Sequence, residues 1–325
     1  MEQAIPPDDA RRAVGPDVVG YRPQEREPVG FVELLSGVPA ALRGHWGRIV
    51  GLAALLLLCY GILGAVTNFA WFAVANSLWF PSRGYLPAPF FCGSAVKMAV
   101  TYLLLGPLVV GYAWAVLRLL QGKRAGAGTL LEASAGWRRL ASVLVAVLPA
   151  VLAESLFRLA FGLVLYGGPT GPAGRFLSFL APVLQVPVAG MVLNALPSIA
   201  LEMALAPLEW AGLEVMVAGR SGLEALKRSV RLAIRNPGLL AGMMATVGVA
   251  RLADKLAQAP VEAAMYLWAR SGGGPTFLSP MIVICSQAIL VLVVGFASTV
   301  VVTVVLVLVY REMVWRERDA LLAGP

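Results

Sequence analysis

The chain has 325 residues, 59% of them apolar and 14% charged, with a formal net charge of +8 and a mean hydropathy of +0.78. A soluble domain is on average about 25% charged, so this balance excludes an ordinary water-soluble globule. The basic surplus would suit nucleic acid, but the basic residues sit beside hydrophobic segments, which points to positive-inside topology and contact with anionic lipid.

The charges are segregated along the chain. None occurs in 49–82, 98–117, 176–201 or 271–310. A hydrocarbon core of about 30 Å needs roughly 20 apolar helical residues, so each run is long enough to span. The fold class expected is therefore all-α, a polytopic integral membrane protein. Residues 1–28 are polar, proline-containing and mixed in charge. They lack the apolar stretch of a signal peptide and read as a disordered cytoplasmic tail.

A six-helix membrane domain then covers 29–312. Phe31 opens a short amphipathic helix whose apolar positions are Phe31, Leu34, Leu35 and Val38. A first span follows at about 49–72, and Trp71, Trp79 and Tyr85 suit an aromatic belt at the far interface. The second span, about 98–117, returns the chain, with a kink expected at Pro107. Lys123, Arg124 and LLEASAGWRR repeat the surface theme before a third span at about 140–164. GGPTGPAG is a turn. The fourth span is expected at about 183–206, with Pro207–Gly219 lying along the inner interface.

Next comes RSGLEALKRSVRLAIRNPG, residues 220–238. Ser221 and Glu224 form a capping-box start, and Asn236-Pro237 ends the helix because the residue before proline is pushed out of the α region. Leu223, Leu226, Val230, Ala233 and Ile234 fall on one face, with Lys227, Arg228, Arg231 and Arg235 around it. A basic amphipathic helix running into a hydrophobic segment reads as a helix on the membrane surface. The fifth span is placed at about 237–257, an interfacial helix at Pro260–Arg270, a turn at Gly272–Gly274, and the sixth span at about 281–310. Residues 313–325 form a charged cytoplasmic tail.

Charge counting orients this arrangement. The inner segments 118–139, 220–235 and 311–318 hold five, five and three Lys or Arg, whereas the outer loops 83–97 and 167–175 hold two and one. The third outer segment, 251–270, holds three. Both termini inside with six spans is the consistent solution. Phe31, Gly128 and Gly222 each open a unit of surface helix plus transmembrane hairpin, and ungapped superposition puts Glu33 on Glu224. Three such repeated units describe the chain, since one alone cannot bury its faces.

The segment APLEWAGLEVMVAGRSGLEALKRSVRLAIRNPGLL resembles a bacterial group of six-span membrane proteins. That group includes the YciC-like inner-membrane proteins and the membrane domain attached to some glycerophosphodiester phosphodiesterases. Its helix of the type ALxxSxxLxxxN corresponds here to Ala225, Leu226, Ser229, Leu232 and Asn236. The resemblance implies a fold in the bacterial cytoplasmic membrane and carries no catalytic residue. The phosphodiesterase barrel, with its histidines and metal-binding carboxylates, has no counterpart in a chain with one histidine.

Catalytic signatures are likewise missing from the sequence. Cys59, Cys92 and Cys285 have no metal-site spacing, His45 sits at the end of a surface helix, and dinucleotide, Walker, triad and H-E-x-x-H patterns do not occur. No cofactor or metal is expected, and no enzyme activity. Ionisable groups within spans are the remaining candidates. Glu154 and Arg158 form an i,i+4 pair, and Arg251 and Asp254, with Lys255, reach the same depth. Together they form an outer charged cluster that is either a vestibule for a headgroup or solute, or a ring of structural salt bridges. Glu202, Glu209 and Glu214 are placed to pair with the basic surface helices. Asn68, Asn194 and Gln287 read as interhelical hydrogen-bonding groups. The function expected is a non-enzymatic accessory or organising factor. Its partners would be anionic inner-leaflet lipid, a membrane protein or a second copy of itself, and no nucleic acid. The alternatives are a transporter or permease subunit and, more weakly, a lipid-modifying enzyme using Glu154 or Asp254.

Overall fold

A computed structural model describes residues 28–79, 87–166, 187–270 and 278–322. The polar tail up to residue 27, the GGPTGPAG turn and the Gly272–Gly274 turn lie outside the described residues. So do the side chains of Asn68, Asn194, Gln287, Cys92, Cys285 and Arg158.

The described residues form nine α-helices and no strand. Three are short: α1 (Phe31–Arg43), α4 (Ala127–Leu131, continued by a 3₁₀ turn Glu132–Ser134) and α7 (Gly222–Arg235). Six are long: α2 (Trp46–Trp79), α3 (Pro87–Leu120), α5 (Trp137–Tyr166), α6 (Pro187–Ala218), α8 (Pro237–Arg270) and α9 (Leu278–Leu322). Even the shortest of these, 30 residues in α5, reaches about 45 Å at 1.5 Å per residue, more than the hydrocarbon core is thick. The Val- and Thr-rich stretch 299–309 is helical throughout, as backbone groups in lipid require.

Four segments are long and apolar enough to cross a bilayer: Trp46–Thr67, Ala99–Leu120, Trp137–Phe157 and Leu292–Arg318. A fifth appears if α7 and Pro237–Gln258, bent by 103° at their junction, are taken as one span. The chain is thus an all-helical membrane protein with four to five candidate spans among its described residues. α6 is long enough, but it carries Glu202, Glu209 and Glu214.

Several helix ends differ from those expected. α3 starts at Pro87, ahead of Met98. α6 does not end near Ala206 but continues through Pro207 to Ala218. α8 is unbroken through Pro260, so Pro260–Arg270 is no separate interfacial helix, and α9 runs on past Tyr310 to Leu322, absorbing most of the tail. Proline costs a helix one N–H bond and a local clash. In an apolar bundle the alternative conformations leave still more backbone unsatisfied, and the helix persists.

The long helices pack in chain order, α2 on α3, α3 on α5, α5 on α6, α6 on α8 and α8 on α9, and α9 closes back onto α2 and α3. Among the described side chains, a buried core near the short helices gathers Ile49, Tyr112, Leu117, Trp210, Leu213, Met243, Tyr310 and Met313. Two of its aromatics satisfy their polar ends on backbone: Trp210 Nε1 donates to Leu306 O at 3.2 Å, and Tyr112 Oη donates to Ile49 O at 3.4 Å. In the other half Leu58, Phe69, Val96, Leu156, Val249 and Leu292 are exposed. In a spanning bundle such side chains face acyl chains.

Candidate functional site

The three short helices share a way of starting. In α1 and α7 the third residue reaches back to the capping position: Gly30 N–H donates to Glu33 Oε2 at 2.9 Å, and Ser221 N–H donates to Glu224 Oε2 at 3.3 Å. In α4 the same place is taken by Thr129 Oγ1, which accepts from Gly126 N–H at 3.2 Å.

They also share a way of being seated. Each makes one contact with a long helix that passes over a glycine. A Cβ on Gly111 would run into the Leu130 carbonyl of α4, one on Gly242 into the Phe31 ring of α1, and one on Gly222 of α7 into Ser142 O of α5. A carboxylate then ties each one down. Glu132, just after α4, accepts from Trp114 Nε1 at 2.8 Å and from Arg118 Nη1 at 2.7 Å. At Val29, ahead of α1, the backbone N–H donates to Glu312 Oε1 at 3.0 Å while Arg316 Nη2 donates to the carbonyl at 2.8 Å.

α7 has the most extensive tie. Glu214, 1% exposed at the end of α6, lies 3.3 Å from Arg228 Nε and 3.4 Å from Arg220 Nε. It also accepts from Tyr310 Oη at 2.9 Å. Arg228 Nη2 donates to Glu317 Oε2 at 2.7 Å, which links α7 to α9, and Arg235 Nη1 sits 3.7 Å from Glu317 Oε1. Ser229 Oγ donates to the Pro207 carbonyl. The expected pairing of Glu214 with the basic helix is present. Arg228 therefore differs from its basic neighbours, because it is turned inward and held.

The buried side of α7 is not the one its large apolar residues mark. Gly222, Ala225, Ser229, Leu232 and Ala233 are buried, which includes three positions of the ALxxSxxLxxxN pattern; Asn236, the cap, is buried too. Leu223, Val230 and Ile234 stand 58%, 37% and 72% exposed. Of the apolar set read on one face, Ala233 is buried and Leu226 half-buried. α7 thus carries two apolar stripes, a small-residue one against the bundle and a bulky one facing out. Exposed Lys227, Arg231 and Arg235 border the outward stripe. Val32 on α1 and Leu131 and Trp137 around α4 are exposed in the same manner.

The outer charged cluster comes together in part. Arg251 of α8 pairs with Glu202 of α6 and lies 3.7 Å from Asp254 Oδ2, while Ser298 of α9 donates to Asp254 Oδ1 at 2.9 Å. Glu202, expected to pair with the surface helices, pairs here instead. Glu154 sits on α5, and the Arg158 side chain falls outside the described ones.

A hollow of about 380 Å³ between α1 and α9 is lined by Glu33, His45, Arg311 and Glu312 among others. No group of His, Cys, Asp and Glu able to hold a metal occurs among the described residues. Sequence reasoning missed Glu317, Tyr310 and Arg220 as partners in the Glu214 network, and Glu312 and Arg316 as the clasp on Val29. The i,i+4 spacing of Glu312 and Arg316, across the boundary between membrane domain and tail, was the one available signal. No protein-family model, curated protein or solved structure matches the chain.

Proposed function

We propose that the chain is a six-span protein of the bacterial cytoplasmic membrane, built from three units of surface helix plus hairpin, with both termini in the cytoplasm. In this reading it is a relative of the YciC-like group and works without catalysis, as an accessory or organising factor that contacts anionic inner-leaflet lipid. The element order supports the repeat: a short helix followed by two long ones, three times. So does the equivalent placement of Glu33 and Glu224 at the helix starts. Support for α6 and α8 as spans comes from their 32 and 34 residues and from the mutual pairing of Arg251, Glu202 and Asp254. That pairing lowers the cost of placing charge at depth.

The observation that carries the proposal is the outer side of α7. A helix whose bulky apolar stripe faces away from the protein, bordered by exposed cations, matches the boundary between acyl chains and anionic headgroups. The same features would destabilise a helix facing water alone. A cysteine at Ile234, in a chain whose three native cysteines are replaced by serine, tests it with an environment-sensitive fluorophore. In reconstituted vesicles the label's emission is expected to shift to the blue as the anionic lipid fraction rises. Lys227→Ser with Arg231→Ser is expected to abolish that dependence. Emission typical of water at every lipid composition refutes the proposal.

The Arg251 cluster favours a second reading, a transporter or permease subunit, because charged groups inside a bundle recur in transport pathways. Arg251→Gln separates the two. A staple predicts lower thermal stability with lipid dependence intact, whereas a pathway predicts lost flux in a stable protein.

A further inference from the structure

We infer that Arg231 and Arg235 form a discrete site for the phosphate of one anionic phospholipid, with Glu317 as its built-in competitor. The inference rests on the proposed seating of α7 on an anionic leaflet and names the ligand of that surface. Arginines at i and i+4 lie about 6 Å apart along the axis on one side of a helix. Guanidinium groups take phosphate oxygens through charge-assisted, often bidentate hydrogen bonds. Lys227 continues the row one turn earlier. Leu226, Val230 and Ile234 line the same hollow as these three cations. A headgroup phosphate held by the cations would then lay its acyl chains along the apolar side, an arrangement free phosphate cannot use.

Glu317 sets the state without lipid. Arg235 is 61% exposed and only 3.7 Å from Glu317 Oε1, the kind of loose contact that an incoming anion displaces readily. Glu317 keeps its 2.7 Å bond to Arg228 when Arg235 leaves, so the exchange strands no charge in the bundle. Because Glu317 belongs to α9, the exchange removes one of the ties between α7 and α9. Lipid occupancy is thereby coupled to how firmly the surface helix is attached to the bundle.

The test uses the purified full chain in detergent micelles, with bound lipid counted by native mass spectrometry during titration with phosphatidylglycerol or phosphatidylcholine. Glu317→Gln is expected to raise phosphatidylglycerol affinity about two- to five-fold and leave phosphatidylcholine unchanged, since releasing the exposed Arg235 from one weak ion-pair contact is worth that much. Arg235→Gln, which leaves the Arg228–Glu317 bond in place, is expected to erase the preference for phosphatidylglycerol. Inorganic phosphate at the lipid's concentration is expected to displace none of it. Unchanged or lower affinity in a folded Glu317→Gln overturns the competition, and a preference that survives Arg235→Gln overturns the site. Displacement by inorganic phosphate overturns the lipid assignment. A wild-type chain binding both lipids equally would instead defeat the underlying proposal of anionic-lipid contact.

Discussion

Arg228 and Lys227 are adjacent, identical in charge and opposite in role. Arg228 points into the bundle, where it is the principal counter-ion of a buried carboxylate and the bond to Glu317. Lys227 stands exposed on the outer side. Removing one partner of a buried pair leaves an uncompensated charge and typically costs about 3–5 kcal/mol. Arg220 and Tyr310 remain on Glu214, so the lower end of that range applies. Arg228→Gln is accordingly expected to lower stability by about 3 kcal/mol, while Lys227→Gln stays within about 0.5 kcal/mol, as surface changes do. Thermal unfolding in detergent followed by circular dichroism distinguishes them; equal effects would show that Arg228 is not a structural counter-ion.

The surface helices depend on glycines where they touch the bundle. At Gly111 the obstruction to a side chain is the backbone of α4, which cannot rotate away, whereas Gly128 within α4 has nothing near its missing Cβ. Gly111→Ala is expected to destabilise by about 1–3 kcal/mol through overpacking. Gly128→Ala is expected to be neutral or slightly stabilising, from helix propensity. Stability measurements on both proteins, showing no difference between them, would contradict the seating of α4 on α3. How α7 sits is the instructive case for what the residues disclose. Its start at Ser221 and Glu224 and its end at Asn236-Pro237 were legible because each depends on local backbone chemistry. Its orientation was not legible from hydrophobicity, since Leu223, Val230 and Ile234 outweigh Ala225, Ser229 and Gly222. In a membrane the rule changes: lipid is as apolar as leucine, so small residues take the close helix–helix contact and bulky ones turn outward. The pattern residues Ala225, Ser229 and Leu232 did mark the buried side. Ends of the long helices were illegible for a related reason, because proline stops a helix in water more effectively than among other apolar helices.

Among the described residues, four glutamates tie elements together at the end of the bundle bearing the short helices. Glu132, Glu214, Glu312 and Glu317, each hydrogen-bonded to an arginine, tryptophan or tyrosine, are all at that end. The all-helical class was legible from the charge-free runs, but the ring closure of α9 onto α2 and α3 was not, because periodicity records which side of a helix is apolar and not which neighbour covers it. In the proposed topology this end faces the cytoplasmic leaflet. Single cysteines in a chain otherwise free of them test it most directly, at Gly126 and Ser221 beside the short helices and at Gly171 and Gly273 on the opposite side of the proposed spans. In intact cells an impermeant thiol reagent is expected to label Gly171→Cys and Gly273→Cys and to spare Gly126→Cys and Ser221→Cys until the membrane is opened. The basis is the ten basic residues of 118–139 and 220–235 against three in 83–97 and 167–175. Labelling of Ser221→Cys from outside would place α7 on the outer leaflet and overturn the cytoplasmic orientation.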